Sequence, residues 1–106
     1  MSAVVGEISM QLKASEKRTL GRTGLTVTAL GLGTAPLGGL YAPVARADAD
    51  ALLETGWESG IRYFDSAPMY GYGRSEHLLG DMLREKNERA VISTKVGRLM
   101  TNERAG

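Results

Sequence analysis

Short apolar runs alternate along this chain with longer amphipathic stretches. Ala29-Leu30-Gly31-Leu32-Gly33, Ile61-Arg62-Tyr63-Phe64 and Ala90-Val91-Ile92-Ser93-Thr94 read as three strands, ending at Thr34, Asp65 and Lys95. Between the first two, Ala49, Leu52, Leu53 and Trp57 recur at helical spacing, which predicts a helix capped by Asp48 and ended by Gly60. Between the second and third, Leu78, Leu79, Met82 and Leu83 form one face of another helix, with Ser75 as its cap. The charged run from Arg84 to Arg89 is expected to be a solvated face. Upstream, Arg18-Thr19-Leu20 and Leu25-Thr26-Val27 flank Gly21-Arg22-Thr23-Gly24, which predicts a hairpin. Pro36, Gly38, Gly39 and Pro43 make Ala35 to Val44 a loop.

The order is hairpin, β, α, β, α, β. Repeated βα units of ~30 residues with buried strands imply an α/β fold with a parallel sheet. Three strands cannot close a barrel, since a (β/α)8 barrel takes ~250 residues. The chain is therefore expected to be a small open sheet or the first part of something larger. Met1 to Lys17 shows no period and is expected to be a flexible leader, with residues 18–106 as the folded unit.

Composition narrows the function classes. The 13 basic residues are scattered among 12 acidic ones, for a net charge of +1, so no basic field favours nucleic acid or an anionic membrane. There is no cysteine, which excludes disulfides and thiolate metal sites and fits a cytoplasmic protein. No apolar run approaches the ~18 residues of a membrane span, and the start lacks signal-peptide organisation. No metal site is expected.

Candidate chemistry sits at the strand ends. In a parallel α/β sheet every strand delivers its last residue to one edge. That edge would collect Thr34, Asp65 and Lys95, with Tyr70 in the loop just after Asp65. An ammonium beside a phenol favours the phenolate and makes the phenol a better acid. A carboxylate paired with that ammonium fixes its place. Asp65, Tyr70 and Lys95 in contact would make a general acid for a carbonyl oxygen. Taken singly, a strand-end aspartate is more often a cap, a loop tyrosine packing and a lysine solvated. Their placement at one edge favours function. Gly31-x-Gly33 could suggest a dinucleotide-binding turn, but Pro36 stands where the third glycine belongs and Asp65 is too distant to be a ribose partner at ~20 residues.

The run Phe64-Asp65-Ser66-Ala67-Pro68-Met69-Tyr70-Gly71-Tyr72-Gly73-Arg74-Ser75-Glu76-His77-Leu78-Leu79-Gly80 resembles the motif of the aldo-keto reductases. Ile92-Ser93-Thr94-Lys95 is similar to the strand carrying that family's catalytic lysine. Leu30-Gly31-Leu32-Gly33-Thr34 is similar to its first barrel strand, whose end lies near the nicotinamide. The hairpin resembles the lid closing the barrel bottom. The Pro36 to Leu40 loop and the Tyr70 to Glu76 form resemble a branch that includes aldose 1-dehydrogenases and pyridoxal dehydrogenase. The resemblance implies a (β/α)8 TIM barrel, here the hairpin and first three βα units, incomplete. It implies hydride transfer between NAD or NADP and an aldehyde, ketone or sugar. Tyr70 would be the proton donor and acceptor, Lys95 its tuner and Asp65 the holder of Lys95. Gly33, Thr34 and Asp65 would meet the cofactor. The family's catalytic histidine lies on the next strand, which would fall beyond Gly106. His77, within the second helix, is no substitute. The 106-residue chain alone is thus expected to be inactive; the other readings are a non-catalytic nicotinamide-binding module, an inert truncated product or a Rossmann-type domain.

Overall fold

The computed structural model describes residues 13–98. Most of the expected leader, residues 1–12, and the tail from residue 99 lie outside them. Ordered structure begins before the expected boundary. Lys17 is already in strand β1 (Lys17–Thr19), and Ala14 packs against the core. β1 pairs antiparallel with β2 (Thr26–Thr28), Lys17 opposite Thr28 and Thr19 opposite Thr26. The Thr28 hydroxyl donates to Leu30 O at 2.7 Å and accepts from Arg62 N at 3.1 Å, tying the hairpin to the base of the sheet.

Three parallel strands follow: β3 (Leu32–Gly33), β4 (Tyr63–Asp65) and β5 (Val91–Ser93), in the order β3-β4-β5. Leu32, Phe64 and Ile92 stand in register, as do Gly33, Asp65 and Ser93 one residue on. Period-2 alternation therefore puts these two rows on opposite faces of the sheet. The first strand is shorter and less buried than expected. Leu30 is 48% exposed, and Gly31 and Gly33 have no side chain to bury. Among the described residues β3 also has a strand neighbour on one side only.

Helix α1 (Arg46–Glu58) starts two residues before the expected cap. Ala45 is extended at the cap position, and Asp48 lies in the first turn, where its charge meets the positive end of the helix dipole. The buried stripe is Ala49, Leu53 and Gly56. Leu52, expected in that stripe, is 45% exposed, because it lies off the line that Ala49 and Leu53 share at i, i+4. A Cβ on Gly56 would stand 3.1 Å from Leu32 Cδ2, so its absence lets the helix close on β3. Trp57 is half-buried under the Arg62 guanidinium, 3.5 Å from the ring centroid. Gly60 takes φ +96°, the left-handed step expected there, and its N–H bonds Trp57 O.

Helix α2 (Arg74–Arg84) buries Leu78, Leu79 and Met82. Its cap is Gly73 rather than Ser75. Gly71, Tyr72 and Gly73 all have positive φ (66°, 51° and 95°), and this left-handed passage delivers the chain into the helix two residues earlier than expected. Ser75 falls in the first turn, wholly buried, and donates to Thr34 O at 2.9 Å. The charged end is not wholly solvated: the Lys86 side chain is 17% exposed and reaches Glu54 Oε1 at 2.5 Å. One core joins both helices to the sheet through Leu37, Leu53, Ile61, Phe64, Leu78 and Met82. Among the described residues no helix is long and apolar enough to cross a membrane, and no His/Cys/Asp/Glu group could hold a metal ion.

Candidate active site

The ends of the three parallel strands build the site. β4 ends at Asp65, whose two carboxylate oxygens have different partners. Ser93 Oγ donates to Oδ1 at 2.6 Å, and Lys95 Nζ donates to Oδ2 at 3.0 Å. The serine hydroxyl and then the ammonium hold the carboxyl below the ordinary carboxylate value, against a smaller opposing effect of burial. Lys95 lies two residues past β5. Its ammonium donates also to Ser66 O at 3.0 Å and sits over the Tyr70 ring, 4.8 Å from the centroid. The Tyr70 phenol first and the Asp65 carboxylate second raise the lysine above its ordinary value. The short contacts of the ammonium go to Asp65 and Ser66 O, while Tyr70 offers it the face of the ring. Asp65, Tyr70 and Lys95 thus meet at one edge, Asp65 and Lys95 by their positions at or just past strand ends and Tyr70 by the loop that follows β4.

Backbone geometry sets Tyr70. Its N–H bonds Ala67 O at 3.2 Å and its carbonyl accepts from Ser75 N at 3.2 Å, so the residue is held between a tight turn and the start of α2. Lys95 and Asp65 are each about half exposed on their side chains, so the cluster opens to solvent. Beside it a cleft of about 280 Å³ runs along Pro68, Met69, Tyr70, Lys95, Val96 and Arg98. Its walls are mainly apolar, and Tyr70 and Lys95 are among the residues that line it.

Thr34 behaves differently from the expectation of a hydroxyl at the mouth. It is wholly buried. Its N–H and Oγ1 both donate to Asp65 O at 2.9 Å, and Oγ1 shares a 3.0 Å hydrogen bond with Ser66 Oγ. The hydroxyl thus adds a second hydrogen bond to a carbonyl that the Thr34 N–H already reaches, and is spent on locking β3 to β4. Gly33 is the exposed member of the pair. It stands opposite Asp65, and a Cβ there would meet no atom within 4 Å. The strand therefore presents no side chain opposite Asp65.

Ser93 and Ser66 are the residues that the sequence reading missed. Ser93 precedes Lys95 by two, so strand alternation alone places both on one face. That signal was present in the sequence. Ser66 contributes through its carbonyl, which no side-chain pattern marks.

Comparison with known proteins places the arrangement. The profile of the aldo/keto reductase family matches residues 29–106. The chain is 93% identical over 97 residues to pyridoxal 4-dehydrogenase of Microbacterium luteolum, covering 92% of this chain and 28% of that protein. It is 47% identical over 78 residues to D-threo-aldose 1-dehydrogenase of a Pseudomonas species, covering 73% and 24%. An aldo-keto reductase of Bacillus halodurans, solved in its holo form, superposes with a TM-score of 0.74 at 30% identity over 90% of this chain and 29% of that one. The chain thus spans about a quarter of the length of the curated relatives it matches. With a parallel βα sheet and the motif from Phe64 to Gly80 in place, the chain belongs to the aldo/keto reductase family.

Proposed function

We propose that this chain forms the hairpin and first three βα units of a (β/α)8 barrel, and that its strand-end cluster is the acid–base part of a nicotinamide-dependent oxidoreductase site. The observation that carries the reading is the Lys95 ammonium, held between the Asp65 carboxylate and the face of Tyr70. A structural ion pair needs no phenol beside it and no open cleft along it. The residues fit the cofactor: Gly33 leaves open space opposite Asp65, and the cleft beside Tyr70 is mainly apolar, as an aromatic ring and a small substrate require. Gly33 and Asp65 would border the nicotinamide, with Thr34 as the scaffold behind them. When bound, that group takes up or gives the hydride.

The chain's own residues handle the proton. In reduction the Tyr70 phenol donates to the carbonyl oxygen as negative charge grows there. In oxidation its oxygen accepts the proton of the substrate hydroxyl. Lys95 keeps positive charge next to the phenol in both directions. Asp65, kept ionised by Ser93, keeps that ammonium in place. The relatives named for pyridoxal and an aldose suggest the substrate class. Both molecules carry an aldehyde that can close on an internal hydroxyl, and oxidation of that cyclic hemiacetal removes one hydride from carbon and one proton from oxygen.

Tyr70→Phe in the intact protein tests the assignment. Loss of a general acid typically lowers turnover ~10²–10⁴-fold. Cofactor titration by fluorescence should be nearly unchanged, because the ring remains. Unaltered turnover in the variant refutes the role.

A further inference from the structure

Arg74 is the first residue of α2, the helix end where a cation is disfavoured by the dipole. Among the described residues no carboxylate lies within ion-pair distance of it. Its guanidinium instead forks onto two backbone carbonyls, Nη1 to Leu37 O and Nη2 to Val44 O, each at 2.6 Å. Both carbonyls belong to the connection between β3 and α1, Leu37 O within its 3-10 turn (Ala35–Gly38) and Val44 O just before the helix. Arg74 therefore closes that loop like a buckle. The loop in turn bears on Tyr70. A Cβ on Gly38 would stand 2.5 Å from both Gly71 N and Tyr70 C, and one on Gly71 would stand 2.8 Å from Gly38 Cα and O. Two glycine backbones thus touch directly at the Tyr70–Gly71 peptide, and Arg74 pins the chain on the far side of that contact.

We propose that Arg74 is a positioning residue for Tyr70: by fixing both ends of the 37–44 loop it holds Gly38 against the Tyr70–Gly71 peptide and so keeps the phenol beside Lys95. The inference rests on the catalytic reading of Tyr70 for its kinetic consequence, but not for its geometric one. A helix-start arginine serving stability alone would favour a carboxylate partner or solvent. Here both strong donors go to the segment that abuts the tyrosine. Arginine suits the task because its planar fork reaches two carbonyls at once, whereas lysine offers a single point charge.

The test uses two readouts. In the isotopically labelled intact protein, the Lys95 ε-protons should show a ring-current shift and a nuclear Overhauser contact to Tyr70, given the 4.8 Å separation. In Arg74→Met, both should be lost while the protein still melts cooperatively. Turnover in the intact protein should fall roughly 10- to 100-fold in kcat, the scale of an ångström-sized misplacement, with little change in KM. Arg74→Lys should recover part of both signals. A folded Arg74→Met that keeps the Lys95–Tyr70 contact and its turnover overturns the proposal. If Arg74→Met does not fold, Arg74→Lys decides: a weakened contact in a protein of native melting temperature supports the buckle, and an unchanged one overturns it. Tyr70→Phe is run in parallel. Should it leave turnover intact, the catalytic reading fails by itself, while the proton contacts of the Arg74 variants still decide the positioning role.

Discussion

Gly38→Ala isolates the backbone contact under Tyr70. The added Cβ would lie 2.5 Å from Gly71 N and from Tyr70 C. Comfortable contact between such atoms begins at about 3.5 Å, so one backbone must retreat by about 1 Å. Neither can do so by turning a side chain, since both partners are main chain. Gly38 does not have a positive φ, so the substitution adds no conformational strain of its own. Two effects then compete. Alanine lowers the entropy of the unfolded chain, which stabilises by about 0.4–1 kcal/mol. Forcing an atom into a filled space costs about 1–3 kcal/mol. The clash wins, leaving a net loss of about 1–2 kcal/mol. In the intact protein, a barrel of ~250 residues, that lowers the melting temperature by roughly 2–8 °C. Gly33→Ala is the matched control. It also lacks a positive φ, gains the same entropy and meets no atom within 4 Å, so it should melt at or slightly above the parent temperature. Circular dichroism melts of the three proteins in one buffer decide the matter. If Gly38→Ala and Gly33→Ala melt together, the Gly38–Gly71 contact does not constrain the backbone under Tyr70.

Gly33→Ala should nevertheless weaken nicotinamide cofactor binding, measured by fluorescence titration, because its methyl enters the open space opposite Asp65; undiminished affinity would move the cofactor away from that face. Ser93→Ala should cost stability in a pH-dependent way. Asp65 is held below its ordinary value of 3.8, so its stabilisation is present above that pH and is lost as pH falls through the lowered folded value. Removing its largest cause, the Ser93 hydroxyl, should open a gap in melting temperature that is widest above about pH 4 and closes in more acid solution. A gap that does not vary with pH would show that Ser93 acts through packing instead.

Much of this molecule was legible from residue order. The three strands and two helices appear in the order that apolar spacing predicts, though β3 keeps only Leu32–Gly33 of the expected run, and the hairpin forms about its turn glycines; burial of a stripe or a face is a local property of the pattern. The convergence of Asp65 and Lys95 was legible for a related reason: parallel strands must present their ends together. Element starts were less legible. Asp48 and Ser75 are good caps in isolation, yet Ala45 and Gly73 hold those places, since the entry of each helix is set by how the preceding loop packs. Leu52 shows the same limit, for spacing places it near the buried stripe and only the position of the sheet shows that it lies outside.

What the sequence determined by itself is the chemistry at hand: a carboxylate, a phenol and an ammonium, the strand ends that carry two of them, and the family motif around them. Only the tertiary structure decided how they are held. Thr34, read as a hydroxyl for the mouth, turns inward onto Asp65 O and Ser66 Oγ, groups that strand pairing brings to it across 31 and 32 residues. Arg74, Gly38 and Gly71 carry no chemical signal in sequence, since an arginine fork onto carbonyls and a contact between two missing side chains depend on backbone atoms. Side-chain identity is written along the chain, but main-chain donors, acceptors and close approaches exist at every residue alike. Which of them meet is determined only when the elements pack.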